Sequence, residues 1–194
     1  MNNTALPSIV EALIFAADTP LSRGRIVSIL DSIEEDDVTR IVDDLNRQYE
    51  LTRKPLKIIE LAGGYQMVTR EEYAEWIGKL FSTRRKVKLS QAALETIAII
   101  AYKQPVARTD VERIRGVNVD GIIKNLLDKN LIRVAGRDKG LGRPYLYGTT
   151  PEFLSHFGLK KLSDLPDYTS IRKGITPLQV DTSTISESLE EDGL

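Results

Sequence analysis

The sequence predicts a mostly helical α+β fold built as two similar units in succession, and three observations carry that prediction. Helical periodicity runs through three stretches before any strand pattern appears, and a Gly-Gly turn between apolar runs then marks a hairpin. After a basic, aperiodic stretch the order of helices and hairpin starts again. Three helices and a two-stranded wing make a winged helix, so the expectation is two tandem winged-helix domains, each three helices plus a β-hairpin wing. Their predicted limits are an N-terminal domain over 1–81, a linker over 82–89, a C-terminal domain over 90–168 and a disordered tail over 169–194.

In the first unit, Ile9, Ala12, Leu13 and Ala16 fall at i, i+3, i+4 and i+7, predicting a helix over 7–17 with those residues on its buried face. Pro7 suits its first turn and Asp18-Thr19-Pro20 ends it. Ser22 is placed to cap a second helix carrying Ile26, Ile29 and Leu30. The third helix, over 35–51, has Val38, Ile41, Val42 and Leu45 on one face and three acids in its positive first turn. Strands over 56–61 and 65–68 flank Ala62-Gly63-Gly64. A helix over 70–81, with Tyr73, Trp76, Ile77 and Leu80 aligned, closes the unit.

Beyond the linker, a shift of 85 residues carries Ile9, Ala12, Leu13 and Ala16 onto Leu94, Ile97, Ala98 and Ala101. It also carries Pro20-Leu21-Ser22-Arg23 onto Pro105-Val106-Ala107-Arg108, and Ile26 and Ile29 onto Val111 and Ile114. Gly116 marks the end of the second helix. Val119, Ile122, Ile123 and Leu126 mark the third, and 131–135 the next strand. At a shift of 80, Tyr65, Thr69, Glu72 and Tyr73 meet Tyr145, Thr149, Glu152 and Phe153. A short helix over 151–158 with Phe153, Leu154 and Phe157 packed, and an extended cap over 159–166, complete the unit.

Composition narrows the function. The 194 residues carry a formal net charge of -1, so any contact with nucleic acid must come from a local patch. With no cysteine there is no disulfide framework and the cytoplasm is the default compartment; the N-terminal apolar run lacks a basic leader and contains Glu11, so no signal peptide is expected. His156 is the only histidine, which excludes His metal clusters, and its expected role is a packed helix residue. The glycine-rich 136–144 stretch joins two strands instead of opening a helix, so it reads as a wing and not a phosphate loop. Tyr102, Tyr145 and Tyr147 read as packing residues. No catalytic set, metal or cofactor is expected.

A winged-helix DNA-binding transcriptional regulator is the alternative reading, and charge opposes it. Six acids face two arginines, Arg40 and Arg47, on the third helix of the first unit, and Asp120 and Asp128 balance Lys124 and Lys129 in the second. Only Arg133, Arg137, Lys139 and Arg143 of the wing, and Arg84, Arg85, Lys86 and Lys88 of the linker, form basic patches.

LETIAIIAYKQPVAR (94–108), IRGV (114–117), GRPYLYGTT (142–150), FLSHFGL (153–159) and LSDLP (162–166) occur in an order and spacing that closely resemble the segregation and condensation protein B (ScpB) family of bacteria. Ala107 departs from the family's usual hydroxyl residue at a cap, and Thr109 with Glu112 is expected to supply a shifted capping box instead. The resemblance implies a non-enzymatic cytoplasmic subunit, associated with the nucleoid, that acts in chromosome condensation and partition. It would form a homodimer through the N-terminal domain and bind the kleisin ScpA, which bridges the SMC ATPase heads, with DNA contact at most weak and no membrane. On that basis the partner-binding surface is expected around the second helix and wing of the C-terminal domain: Arg113, Arg115, Val117, Arg137, Arg143 and Tyr145.

Overall fold

The computed structural model describes residues 5–31, 33–81, 89–140 and 142–167; most of the expected linker and the whole of the expected tail lie outside them. The described residues up to Leu162 belong to a first compact unit and those from Ser163 to a second. Within the first, eight α-helices and two three-stranded antiparallel sheets are described, in two sequence halves of matching order.

In the first half α1 (Leu6–Ala16) and α2 (Arg23–Leu30) precede α3 (Glu35–Leu51), whose limits are those the sequence predicts. Glu34 and Asp37 close a reciprocal capping box at the α3 N-terminus. Val38, Val42 and Leu45 of α3 bury against Val10 and Ile14 of α1 and Ile26 and Leu30 of α2. The expected α1 face needs correction: Ala12 and Ala16 are exposed, and Ile9 and Leu13 only flank the core. Apolar side chains surround α1, so periodicity alone could not choose the face; packing against α3 chooses Val10 and Ile14. Ser22 caps α2 as expected, its hydroxyl accepting from the Arg25 amide at 3.2 Å, whereas Ile29 is exposed.

Strands β2 (Leu56–Leu61) and β3 (Gly64–Thr69) form the hairpin, and β1 (Leu21–Ser22), which the sequence did not suggest, pairs with β3. The turn is Ala62-Gly63, both at positive φ, 49° and 76°, and Gly64 belongs to the strand. A Cβ on Gly64 would stand 2.7 Å from the Leu21 carbonyl carbon, so glycine is required by the approach of β1 and not by the turn. The expected final helix is shorter: a 3₁₀ turn (Glu71–Tyr73) leads into α4 (Ala74–Leu80), where Trp76 and Leu80 are 61% and 70% exposed.

The second half repeats the plan with α5 (Gln91–Lys103), β4 (Val106–Ala107), α6 (Arg108–Arg115), α7 (Asp120–Asp128), the hairpin β5 (Ile132–Arg137) with β6 (Tyr145–Thr149), and α8 (Pro151–Phe157). The 85-residue shift matches β1 with β4 and α2 with α6 end to end, but carries buried Val10 onto exposed Glu95, so the first helices correspond at a different shift. Ala93, Thr96, Ile97, Ile100 and Ala101 are the buried α5 residues; Leu94 and Ala98 are exposed. Register across the first strands also corrects the hairpin match. Leu21 faces Tyr65 and Val106 faces Tyr147, so the counterpart of Tyr65 is Tyr147 and Tyr145 lies nearer the hairpin tip. Phe153 is buried as expected, while Phe157, Tyr102, Tyr145 and His156 are exposed.

Candidate partner-binding surface

Helix α6 is framed by its own sequence. Ala107 takes the N-cap position without a side-chain cap, and the expected Thr109–Glu112 box does not form, because Glu112 instead accepts from the Val119 amide at 3.3 Å. Arg108 pairs with Asp120 at the α7 N-terminus, and that contact, reinforced by the Asn118 amide group, holds the Asp120 carboxyl below the usual carboxylate range. Gly116 ends the helix in the left-handed conformation, φ 71°. Asp31 ends α2 in the same conformation at the equivalent position, φ 51°.

Two open grooves flank α6. One, about 430 Å³, runs between the helix and the hairpin and includes Arg113, Ile114, Val106, Asp138 and Leu146 in its walls. The other, about 440 Å³, lies over the helix end and includes Glu112, Arg113, Gly116 and Val117. Arg113 borders both, its guanidinium on Asp110 at 2.9 Å. Ile114 and Val117 stand 55% and 53% exposed beside it, where their apolar surface would be better covered. Their exposed apolar surface adjoins the Arg113 charge, and no metal-binding group of three His, Cys, Asp or Glu occurs among the described residues.

The six residues expected from sequence separate into two groups. Arg113, Arg115 and Val117 lie at the end of α6, and Arg137, Tyr145 and Arg143 on the hairpin. Arg137 lies over the Tyr145 ring, 4.5 Å from its centroid, and donates to its hydroxyl at 2.8 Å. Arg143 takes φ 42° in the loop. Arg115 differs from the others. Its side chain is only 11% exposed, and it donates to the Ala92 carbonyl at 3.1 Å, the Thr96 hydroxyl at 3.0 Å and Glu95 at 2.7 Å. Arg115 therefore fastens α6 to α5 and satisfies the fully buried Thr96. Ile114, which the repeat aligns with Ile29, is an exposed residue beside this surface and not among the six expected; Ile29 is exposed as well.

In the first half, Phe15, Leu51, Trp76, Leu80 and Phe81 are exposed large apolar residues. A third groove, about 390 Å³, is lined by Leu6, Pro7, Ile33, Ile41 and the charged Asp37, Arg40 and Asp44. On α3 both arginines are engaged by acids one turn away, Arg40 by Asp37 and Arg47 by Asp44 at 2.9 Å. No helix among the described residues is long and apolar enough to cross a membrane.

Comparison with known proteins agrees over nearly this whole span. The family model described as segregation and condensation complex subunit ScpB matches residues 8–168. A segregation and condensation protein B of Syntrophotalea carbinolica is 44% identical over 176 residues, 89% of this chain and 88% of that protein. One of Clostridium tetani is 46% identical over 159 residues, 82% and 84% of the two chains. The crystal structure of ScpB from Mycobacterium tuberculosis is 30% identical, covers 82% of this chain and 98% of its own, and superposes with a TM-score of 0.40. With both halves matched in sequence and order, the chain belongs to the ScpB family of segregation and condensation complex subunits.

Proposed function

We propose that the chain is a non-catalytic subunit of the SMC-kleisin complex, acting in chromosome condensation and partition by forming a homodimer and binding the kleisin ScpA. Each half is read as a winged helix, the first over 1–81 for dimerisation and the second over 90–168 for the partner. In the cytoplasm the kleisin would link the subunit to the SMC ATPase, and through it to the nucleoid. The observation that carries the reading is the family match across 8–168. Two features of the surface support it. Trp76 and Leu80 leave apolar area on the first half, suited to a second copy, and Ile114 and Val117 do so between two grooves on the second. The partner face comprises Arg113, Ile114, Val117, Arg137, Arg143 and Tyr145, with Arg115 holding α6 in place.

Co-purification with a kleisin fragment followed by mass measurement tests partner and stoichiometry together. A stable complex containing two copies of this chain is expected; separate elution of chain and kleisin overturns the reading. In calorimetry, Arg143→Glu in folded protein is expected to weaken kleisin binding, and unchanged affinity removes the hairpin from the site. A DNA-binding regulator would instead shift duplex DNA by itself at low salt, with binding that falls steeply as salt rises.

A further inference from the structure

The turn Ala62-Gly63 at the tip of the first hairpin would ordinarily leave its two amides to water. Here consecutive amides meet consecutive carbonyls: Ala62 donates to Leu159 at 2.9 Å and Gly63 to Lys160 at 2.8 Å. The acceptors come from beyond α8, in the other half of the sequence. Gly158, left-handed at φ 69°, turns the chain out of that helix, and the Leu159 amide bonds back to the Leu154 carbonyl at 2.9 Å, which fixes the exit direction. Lys160 then reaches Glu60, on the strand leading into the turn, at 3.4 Å. The same carboxylate takes Arg23 of α2 at 3.2 Å, so Glu60 joins two cations from distant parts of the chain.

We propose that the hairpin turn and Glu60 form a docking site for an extended segment carrying a lysine, and that residues 159–160 fill it as a strap coupling the second half to the first. The main-chain bonds fix where the segment lies, and the Lys160–Glu60 pair, partly exposed, adds a charge match that salt weakens. The strap does not depend on which partner the grooves beside α6 take. It makes the two sequence halves one mechanical body, so that a ligand touching both meets a preset pair of surfaces.

Amide exchange and backbone relaxation by NMR on the full chain test this directly. The parent is compared with Lys160→Glu, Lys160→Arg, a truncation after Asp167 that keeps the strap and a truncation after Gly158 that removes it. The Ala62 and Gly63 amides are expected to be protected in the parent, in Lys160→Arg and after the Asp167 truncation. They should exchange at least about tenfold faster after the Gly158 truncation, and by a smaller factor in Lys160→Glu, while the Ile58 and Val68 amides stay protected as proof of folding. Amides of the two halves should report a common tumbling time in the parent and separate times without the strap. Unprotected turn amides in the parent overturn the proposal. So does a folded variant lacking the strap whose exchange and tumbling match the parent; if the truncated chain fails to fold, Lys160→Glu decides between the two.

Discussion

Replacing Arg115 with methionine distinguishes a residue that builds the proposed partner face from one that touches the partner. The guanidinium spans the α5–α6 contact through three hydrogen bonds, two of them to Ala92 and Thr96 at the inner end. The half-exposed pair with Glu95 contributes about 0–1 kcal/mol. Each inner bond contributes roughly 1 kcal/mol net, and methionine retains much of the packing of the aliphatic stem. The expected loss is therefore about 2–3 kcal/mol, which lowers the melting temperature of a chain of this size by roughly 4–12 °C. Denaturant titration measures the loss, and calorimetry with a kleisin peptide, at a temperature where both proteins are folded, measures affinity. An affinity within about twofold of the parent is expected, a difference below 0.5 kcal/mol. An unchanged unfolding midpoint would refute the anchoring role, and an unchanged midpoint with a large loss of affinity would make Arg115 a contact residue.

Ile114→Asp should do the reverse: with the side chain 55% exposed, stability stays near the parent's while kleisin affinity falls about tenfold or more in the same calorimetry. Gly64→Ala should destabilise by about 1–3 kcal/mol in denaturant titration, because the added methyl meets the Leu21 carbonyl and β1 must move. Gly78→Ala, on exposed helix α4 with nothing near the new methyl, should instead stabilise by roughly 0.5–1 kcal/mol. Tyr49 is pushed up, first by burial and then by its hydroxyl's 2.7 Å hydrogen bond to Glu11, so the fold favours the neutral phenol. The stability this contributes is complete below the ordinary tyrosine value of about 10 and is lost as pH rises beyond it. Melting curves against alkaline pH should decline less steeply for Tyr49→Phe than for the parent.

Residues whose local signals agree gave the most legible parts of the fold. The limits of helix α3 are legible because an acidic first turn and an apolar stripe at Val38, Ile41, Val42 and Leu45 point the same way. Helix α1 was readable as a helix but not as a face, since nearly every side chain on it could be buried. The two-residue strands β1 and β4 are too short to show any period and exist only because a hairpin lies beside them. At the proposed partner face, the exposure of Ile114 is not legible in the sequence, because an apolar residue next to a helix stop resembles core. The burial of Arg115 did have a signal. The 85-residue shift that aligns α2 with α6 places it on Leu30, a core position, so an arginine there had to find partners inside.

The pairing of Arg40 and Arg47 with acids of their own helix also governs how a partner approaches. Six carboxylates against two guanidinium groups leave α3 with a charge of 2 − 6 = −4, and neither cation is held apart from an acid. Such a helix turns away polyanions before contact and draws in basic segments over distances of about a Debye length, roughly 8–10 Å in physiological salt. Its effect belongs to the rate of encounter more than to the strength of the complex, so α3 would select its company by the speed of arrival.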